Sequence, residues 1–302
     1  MLVKNFDHLW ELVKGSKGKR IAVAGADDPE VMHVVSMAEN EGLAEFILLG
    51  DVDRMNGLVK EHNFIVKSEM RQAAGHKEAA ETAVDLVVSG EAGTLMKGML
   101  HSSVFLKALL NKEKGLNVGR HITQASLMEK EDRDGLMIIT DCAISVAPDL
   151  NGKKEILENA VELARGLGYE TPKAAVIASL EVVNPAMQDT VDAALLTVMA
   201  KRGQISNCIV DGPFAFDNAY SEEAAQVKGI DSPVAGNADI LLMPGLTVGN
   251  AVSKAITYVG KKTLIAATIG AKVPVIFTSR TESDKGKLYS IALASYLVNL
   301  KK

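Results

Sequence analysis

The sequence predicts an α/β protein made of two domains. Its 302 residues exceed what one compact core usually needs and suffice for two. From residue 154 onward, short apolar runs alternate with segments of helical spacing, which is typical of βαβ units and a largely parallel sheet. Aromatic residues make up only 4% of the chain, so aliphatic side chains carry the apolar content, as in helices packed on a buried sheet. We expect a first domain of residues 1–135 and 285–302 and a second domain of residues 136–284.

Apolar runs and helix-start signals define the elements of the first domain. Pro29 follows Asp27-Asp28 and precedes apolar residues at helical spacing, which predicts that a helix starts there, after the first strand. A Ser89-Gly90 turn closes the apolar run at 86–88, which we interpret as a strand. The predicted order is helix 6–13, strand 21–24, a helix from Pro29, strand 46–49, candidate strand 64–66, helix 72–84, strand 86–88, a helical segment over 95–109 and candidate strand 118–123.

The second domain shows a more regular alternation of strands and helices. Proline lacks the amide that a central strand must donate, so Pro274 in the last apolar run disfavours a central position for that strand. The apolar pattern of the final helix predicts that it packs back on the first domain. The predicted order is a strand pair at 136–140 and 143–147, a helix begun by Pro148-Asp149 that covers 154–166, strand 174–178, helix 188–201, strand 208–210, strand 238–243, helix 251–259, strand 273–278 and helix 287–300.

Charge and the cysteine and histidine patterns exclude several classes of protein. A net charge of −5 and the scarcity of aromatic residues argue against a nucleic-acid-binding surface. No run of about 18 apolar residues occurs, so we expect no membrane span. The six histidines form no HExxH or comparable pair, so we expect no bound metal. Cys142 and Cys208 lie in apolar runs without CxxC spacing, which predicts buried thiols and a cytoplasmic location.

The stretch over 237–260 offers a candidate anion site. The apolar run 240–242 predicts a buried strand, and the Pro244-Gly245 turn ends it. We expect Asn250 to cap a helix that begins near Ala251, with free backbone amides in the preceding Leu246-Thr247-Val248-Gly249. Free amides and the positive end of a helix dipole favour a phosphate or carboxylate, and Lys254 could add a charge one turn further on. The alternative is an ordinary strand-to-helix connection with a solvated lysine.

A second candidate site follows the last predicted strand. There Arg280 stands next to Ser279, among further hydroxyls and carboxylates that include Asp284. An arginine at a strand terminus can donate two parallel hydrogen bonds to a phosphoryl group, and a neighbouring carboxylate can act as a base. Asp211-Gly212, after the predicted strand 208–210, lies in another of these loops. The alternative for Arg280 is an exposed arginine in an acidic loop.

Four segments together resemble a known family, the phosphate acetyltransferases and phosphate butyryltransferases, and most closely its butyryltransferase branch. The segments are EVVNPAMQDTVDAA, DGPFAFDNAYS, NADILLMPGLTVGNAVSKA and TSRTESDKGKLYSIALAS. The resemblance covers most of the chain from about residue 86. It implies an isocitrate dehydrogenase-like, three-layer α/β/α fold with two domains and a cleft between them, in a homo-oligomer. It also implies transfer of a short acyl group, butyryl in this branch, between coenzyme A (CoA) and phosphate. CoA would be a substrate, and no metal or other cofactor would be needed.

The resemblance also assigns roles to particular residues. In the acetyltransferases a Ser-Arg pair after the last strand carries catalysis, and Ser279-Arg280 matches it. The aspartate that follows in that family stands seven residues after the serine, where this chain has Gly286, so Asp284 is a shifted candidate. The substrate-binding or CoA-binding candidates come from the loops described above. They are Asp211, Gly212, Thr247, Gly249, Asn250 and Lys254.

Three alternatives remain open at this point. A phosphate acetyltransferase would use the same mechanism on a shorter acyl group. An NAD-dependent dehydrogenase can share the fold, but it would need a metal-binding aspartate cluster, and no clustered DxxxD pattern stands out. A CoA-binding module without catalysis would keep the Gly249-Asn250 loop and tolerate loss of Ser279-Arg280.

Overall fold

The computed structural model describes residues 1–16, 18–114, 116–278 and 282–300. Strands and helices alternate through these ranges, which confirms the predicted α/β class. The chain divides into two compact units. The first unit contains residues 6–120 and 265–302, and the second contains residues 1–5 and 121–264. Within the described ranges, no helix is long and apolar enough to cross a membrane.

The elements follow one another along the chain in two series. The first series is α1 (Phe6–Val13), β1 (Ile21–Ala24), α2 (Pro29–Asn40), β2 (Phe46–Gly50), α3 (Val52–His62), β3 (Glu69–Gln72), α4 (His76–Val88), β4 (Thr94–Lys97) and α5 (Ser102–Leu109). The second series is β5 (Thr123–Glu129), β6 (Leu136–Thr140), α6 (Leu150–Gly166), β7 (Lys173–Ile177), α7 (Gln188–Lys201), β8 (Ile209–Phe214), α8 (Phe216–Tyr220), α9 (Glu222–Val227), β9 (Ile240–Leu242), α10 (Leu246–Tyr258), β10 (Ile265–Ile269), β11 (Val275–Ile276) and α11 (Asp284–Leu300).

The strands of the first unit lie in the order β3-β2-β1-β4-β11-β10. Neighbours are parallel from β3 to β11, and β10 is antiparallel to β11. Helix α11 packs against α1, α2 and β10, so this last helix covers elements of the first unit that come from both of its chain segments. The parallel order brings the carboxyl ends of β1, β2, β3, β4 and β11 to one edge, where ligands of such sheets usually bind.

The strands of the second unit lie in the order β5-β6-β9-β7-β8. Strands β6, β9, β7 and β8 are parallel, and β5 is antiparallel to β6. Every residue of β6 and β9 is buried, which explains why both strands are continuous apolar runs in the sequence. The carboxyl ends of the four parallel strands share one edge of this unit.

Three helices begin with an aspartate that satisfies the first backbone amides. Asp28 accepts hydrogen bonds from the amides of two α2 residues, and Asp51 and Asp149 each accept one, at the starts of α3 and α6. A carboxylate already occupies the positive end of each of these helices. These three helix starts are therefore poor sites for a second anion.

A buried ion pair joins α6 to α7. Lys153 Nζ lies 2.7 Å from Asp192 Oδ2, and the two residues are 5% and 4% exposed. Gln188 Nε2 donates to the other carboxylate oxygen at 2.8 Å. The ammonium and the carboxylate thus satisfy each other directly, which makes this pair part of the packing between the two helices.

The predicted strand at 86–88 and the predicted helical segment at 95–109 were wrong over much of their length. Residues 86–88 form the last turn of α4, which buries residues at helical spacing. The strand of this region is β4, which is buried along its whole length and leads through a short connection to α5. A short apolar run can belong to a helix or to a fully buried strand, and its spacing does not separate the two cases.

Other element predictions were shifted or wrong. Residues 143–147 do not pair with β6; its antiparallel partner is β5, and 143–147 lie in an irregular loop instead. The third strand is Glu69–Gln72, not the candidate at 64–66, and the candidate at 118–123 is replaced by β5. Strand β10 has no counterpart among the predicted elements. The last strand is only two residues long and starts just after Pro274, which keeps the proline out of the ladder.

The bounds of the two units differ from the expected domain bounds of 1–135 with 285–302 and 136–284. Strand β5 pairs with β6, so residues from 121 onward group with the second unit. Strand β11 pairs with β4 and β10, so residues from 265 onward group with the first unit. Strand pairing over long sequence separations fixes these bounds, and local composition does not reveal it.

We expect Asp192→Asn to destabilise the protein strongly, because it leaves the Lys153 ammonium buried without its counter-charge. The free energy of unfolding should fall by about 3–5 kcal/mol. Urea unfolding followed by circular dichroism measures this loss. The matched double variant Lys153→Met/Asp192→Leu removes both charges and should lose much less. An unfolding midpoint of Asp192→Asn equal to that of the wild type would contradict a stabilising role for the pair.

Candidate active site

Helix α10 has an open start at the carboxyl edge of the second unit. The helix begins at Leu246, and its N-cap Gly245 is extended and offers no side-chain cap. The amide of Leu246 donates to the carbonyl of Val146 at 3.3 Å. The amides of Thr247 and Val248 have no acceptor among the residues that the structure describes. In contrast to α2, α3 and α6, this helix presents free donors and its positive end, which favour an anion.

The helix start differs from the predicted one. Asn250 was expected to cap a helix from Ala251, but it lies in the second turn of α10. Its side-chain Nδ2 donates instead to the carbonyl of Cys142 at 3.2 Å. Gly245 occupies the cap position instead, with an extended backbone and no side-chain cap. Asn250 therefore holds α10 to the loop that follows β6.

Gly249 makes the closest approach between α10 and the loop after β6. A Cβ atom at this position would lie 2.0 Å from the carbonyl oxygen of Asp141, so only glycine fits without a backbone shift. One turn later, Ser253 Oγ donates to the carbonyl of Gly249 at 2.7 Å. Gly249 is buried, whereas Thr247 is exposed. Gly249 thus positions the helix start, and Thr247 presents its amide to solvent.

The carboxylate of Asp141 organises the loop after β6. It accepts hydrogen bonds from the amides of Ala143 at 2.7 Å, Ile144 at 2.9 Å and Ser145 at 3.2 Å. The Ser145 hydroxyl donates to it at 2.9 Å as well. Asp141 is only 2% exposed. This carboxylate is saturated with donors, so it fixes the loop on which α10 rests. It was not among the predicted site residues.

Asp211, Gly212 and Lys254 lie away from the open start of α10. Asp211 and Gly212 lie inside β8, and not in a loop after it, because this strand continues to Phe214. Strands β9 and β8 are separated by β7, which puts about 10 Å between them. Lys254 is exposed, eight residues after Leu246, and so about 12 Å along the helix. Its Nζ lies 6.0 Å from the centre of the Tyr258 ring.

The remaining predicted residues belong to the first unit. Ser279 and Arg280 lie outside the residues that the structure describes, so their roles stay predictions. Asp284 is the first residue of α11. Its carboxylate lies 3.6 Å from His33 Nε2 and 3.9 Å from Lys287 Nζ, and its side chain is 51% exposed. Asp284 therefore has a cation within reach, and solvent has access to it.

Two buried lysines lie at the carboxyl ends of β4 and β11. Lys97 and Lys287 are 8% and 9% exposed, and both line a small cavity together with Thr278. Neither lysine was among the predicted site residues. The predicted helical segment at 95–109 contains Lys97, and on a helix a lysine is expected on the exposed face. The lysine inside the apolar run TLMKGML was nevertheless a usable signal of an unusual position, because a charged residue is rarely buried in a strand without a specific partner.

Neither cysteine has the properties of a reactive thiol. Cys142 is buried and Cys208 is partly buried, and both are free. Burial raises the pKa of the Cys142 thiol, and burial raises the pKa of Cys208 to about 11. Both thiols therefore stay protonated near neutral pH, where only a thiolate is a good nucleophile. Within the described ranges, no group of three or more His, Cys, Asp or Glu side chains could hold a metal ion.

Comparison with known proteins decides which family contains this arrangement. A family model described as "Phosphate acetyl/butaryl transferase" matches residues 66–295. The chain belongs to the phosphate acetyl/butaryl transferase family. This family match confirms the resemblance that the four sequence segments indicated, and it makes the protein an enzyme of the transferase class.

Relatives within this family match over nearly the whole chain. The phosphate butyryltransferase of Clostridium acetobutylicum is 40% identical over 301 residues, which are 99% of this chain and 100% of the relative. The phosphate acetyltransferase of Thermotoga maritima is 41% identical over 289 residues, 96% of this chain and 98% of the relative. The crystal structure of a branched-chain phosphotransacylase from Enterococcus faecalis superimposes with a TM-score of 0.82 at 31% identity. It covers 93% of this chain and 99% of that one.

We expect Gly249→Ala to disturb the packing of α10 on the loop after β6, because the added methyl group would clash with the Asp141 carbonyl oxygen. The free energy of unfolding should fall by about 1–3 kcal/mol, as in other overpacked sites. Gly57→Ala is the matched control: Gly57 also lies in a helix, α3, but a Cβ there meets nothing within 4 Å. That variant should gain about 0.4–1 kcal/mol. Urea unfolding of both variants checks the pair, and equal stability would contradict the close packing.

Proposed function

We propose that the protein transfers a short acyl group between CoA and inorganic phosphate, interconverting acyl-CoA plus phosphate with acyl phosphate plus CoA. Membership of the family supports this function, because its relatives carry names for that reaction with acetyl or butyryl groups. The structural observation that carries the proposal is the open start of α10. Gly249 allows α10 to pack closely on the loop after β6. The amides of Thr247 and Val248 at the helix start can then donate to a phosphate-containing substrate.

The proposed chemistry is direct attack at the acyl carbon. From acyl phosphate, the CoA thiol loses its proton, and the thiolate sulfur bonds to the carbonyl carbon. The bond between that carbon and the phosphate oxygen then breaks, and phosphate leaves with the electron pair. A simple thiol has a pKa of about 8.5, so a base must take the proton near neutral pH. We assign this role to Asp284, whose carboxylate is solvent-accessible at the start of α11.

Ser279 and Arg280 complete the proposed mechanism. The family resemblance assigns catalysis to this pair. Arg280 would hold the phosphoryl group through two parallel hydrogen bonds, and the Ser279 hydroxyl would donate to the developing oxyanion. One preorganised donor of this kind lowers the barrier by about 3 kcal/mol. No resident metal or cofactor enters this scheme, since CoA and phosphate are both substrates.

We further propose that the protein is cytoplasmic and forms a homo-oligomer. Its two free cysteines support a reducing compartment. Apolar side chains at the outer strand β8 and the adjoining α7 support an interface between copies: Leu195, Val198 and Ile209 are 43%, 51% and 37% exposed. Light scattering coupled to size-exclusion chromatography measures the assembly directly.

We expect butyryl-CoA to be the best acyl donor, with a graded decline toward propionyl-CoA and acetyl-CoA. The relatives named for butyryl and for acetyl transfer are about equally similar to this chain, so overall identity does not separate the two substrates. The choice of butyryl rests on the sequence segments that resemble the butyryltransferase branch. Each methylene in an apolar pocket changes the barrier by only about 1–3 kcal/mol, so neighbouring substrates should remain active. Thiol release from acetyl-, propionyl-, butyryl- and isobutyryl-CoA, with and without phosphate, gives kcat/KM for each. A maximum at acetyl-CoA would assign the acetyltransferase activity instead.

We expect Arg280→Lys to impair turnover and Arg280→Ala to impair it more. Lysine keeps the charge but lacks the planar fork that binds a phosphoryl group in two places. The loss should appear in kcat/KM for phosphate, while the directly measured affinity for CoA stays close to that of the wild type. Unfolding midpoints serve as the control and should barely move. Near-normal turnover of both variants would remove Arg280 from the mechanism.

A further inference from the structure

A cavity of about 320 Å³ lies in the first unit, where β1, β2 and β3 end. Gly25 follows β1, Gly50 ends β2 and Gln72 ends β3, and all three line the cavity together with His76, the first residue of α4. The three strands are parallel, so the cavity lies at the edge of the sheet where ligands of doubly wound folds bind. Its volume falls at the lower end of the range of small-molecule sites, about 300–1,000 Å³.

The carboxylate of Asp27 lies over the end of β2 and lines this cavity. A Cβ atom at Gly50 would lie 2.5 Å from Asp27 Oδ1, so the carboxylate occupies the space that a side chain at position 50 would take. Asp27 is partly buried, and it accepts no hydrogen bond from any residue within the described ranges. An ionised carboxylate only accepts hydrogen bonds, so this side chain favours a ligand that donates them.

Asp51 adds a second carboxylate from the residue that follows β2. Its Oδ1 atom accepts the amide of Arg54 at 3.1 Å, which caps α3 and fixes the side chain. The strand order β3-β2-β1-β4 is the order of dinucleotide-binding sheets, in which an acidic residue about 20 residues after the first loop accepts a hydrogen bond from a ribose hydroxyl. Asp51 follows Gly25 by a similar interval.

The helix starts around the cavity disfavour a phosphate. Asp28 and Asp51 already occupy the positive ends of α2 and α3. At the start of α4, the carboxylate of Glu78 accepts the amide of Ala74 at 2.6 Å, so this end also carries a negative charge. A phosphate in the cavity would therefore meet carboxylates at three helix starts. The ribose of CoA itself carries a phosphate, so the nucleotide of CoA is a poor ligand for this cavity.

Neutral donors line the α4 side of the cavity. The amides of Gly75 and His76 have no acceptor in the part of the chain that the structure describes, and Gly75 offers no side-chain cap. The side-chain amide of Gln72 also lines the cavity, and the amide of Val52 donates to its Oε1 atom at 3.0 Å. A suitable ligand therefore carries hydroxyl donors at one end and neutral acceptors, such as ring nitrogens, at the other.

We infer that this cavity binds a ribonucleoside whose two vicinal ribose hydroxyls are free. The hydroxyls donate to Asp27 and Asp51, and the acceptor atoms of the base receive the amides of Gly75 and His76. A nucleoside without phosphate combines these donors and acceptors and avoids repulsion by the carboxylates. The inference goes beyond the proposed function, because this ligand is neither acyl-CoA nor phosphate.

Calorimetric titration of the full chain with adenosine tests the site. The comparison ligands are 2′-deoxyadenosine and 3′-deoxyadenosine, which each lack one hydroxyl, and adenosine 3′-monophosphate, which adds the unfavourable phosphate. The variants are Asp27→Asn and Asp51→Asn, and asparagine at position 51 still caps α3 well. Asp53→Asn is the matched control, because Asp53 is an exposed aspartate in the first turn of α3 that does not line the cavity. Asp27→Ser replaces Asp27→Asn if thermal unfolding shows that the latter does not fold.

We expect the wild type to bind one adenosine per chain with a Kd below about 1 mM. Loss of either hydroxyl, addition of the phosphate, or loss of either carboxylate should weaken binding about tenfold or more, as for hydrogen bonds to a charged group. Asp53→Asn should bind adenosine like the wild type. Absence of adenosine binding at millimolar concentration overturns the inference, and so does equal binding by the deoxynucleosides or by the two cavity variants.

Competition with CoA separates this cavity from a substrate site. Saturating CoA should leave the affinity for adenosine nearly unchanged, and both cavity variants should keep the CoA affinity of the wild type. Displacement of adenosine by CoA, or loss of CoA affinity in both variants, would make the cavity part of a CoA site and overturn the inference. Phosphate-dependent thiol release is measured separately, so its absence in the wild type would reject the proposed function and leave the adenosine titrations to decide the cavity.

Discussion

The position of α10 depends on the close approach between Gly249 and the carbonyl of Asp141. Any larger residue at 249 would push the helix away from the loop after β6. That loop is held in place because the Asp141 carboxylate accepts hydrogen bonds from three of its backbone amides, from the amide of Gln124 in β5 and from a hydroxyl. The open helix start therefore rests on a fixed support. Preorganised donors of this kind bind an anion without first having to be ordered.

Two arrangements of buried lysine in this protein differ in one respect that indicates their roles. Lys153 meets Asp192 at hydrogen-bonding distance inside the packing of α6 and α7, so the charges cancel within the protein. Lys287 lines a small cavity together with Glu30, and the carboxylates of Glu30 and Asp284 each lie 3.9 Å from its Nζ. Both arrangements put charge out of water. Only the second keeps its carboxylates beyond hydrogen-bonding distance, beside a small cavity.

The sequence predicted the features that depend on local chemistry. The α/β class followed from alternating apolar patterns, and the start of α2 followed from Asp28 and Pro29, which the structure shows as cap and first helical residue. Features that depend on distant packing were missed. Nothing in the local pattern distinguishes β4 from a helix, or makes Gly245 a better cap than Asn250. For α10, the reason is that the contact which fixes the helix start, at Gly249, is made with a loop about 100 residues earlier in the chain.

The long interruption of the first unit has a consequence for the protein during its synthesis. Strand β1 precedes β4 in the chain, so these two neighbours can pair as soon as β4 has been made. The other neighbour of β4 is β11, which follows about 180 residues later, the separation between Thr94 and its hydrogen-bond acceptor Pro274. At ribosomal rates of about 5–20 residues per second, that interval lasts about 9–36 seconds. Throughout this time β4 is an unpaired edge, and the apolar surface that α11 later covers is open to other chains. The nascent first unit therefore exposes this strand edge and this apolar surface until the last segment of the unit has been made.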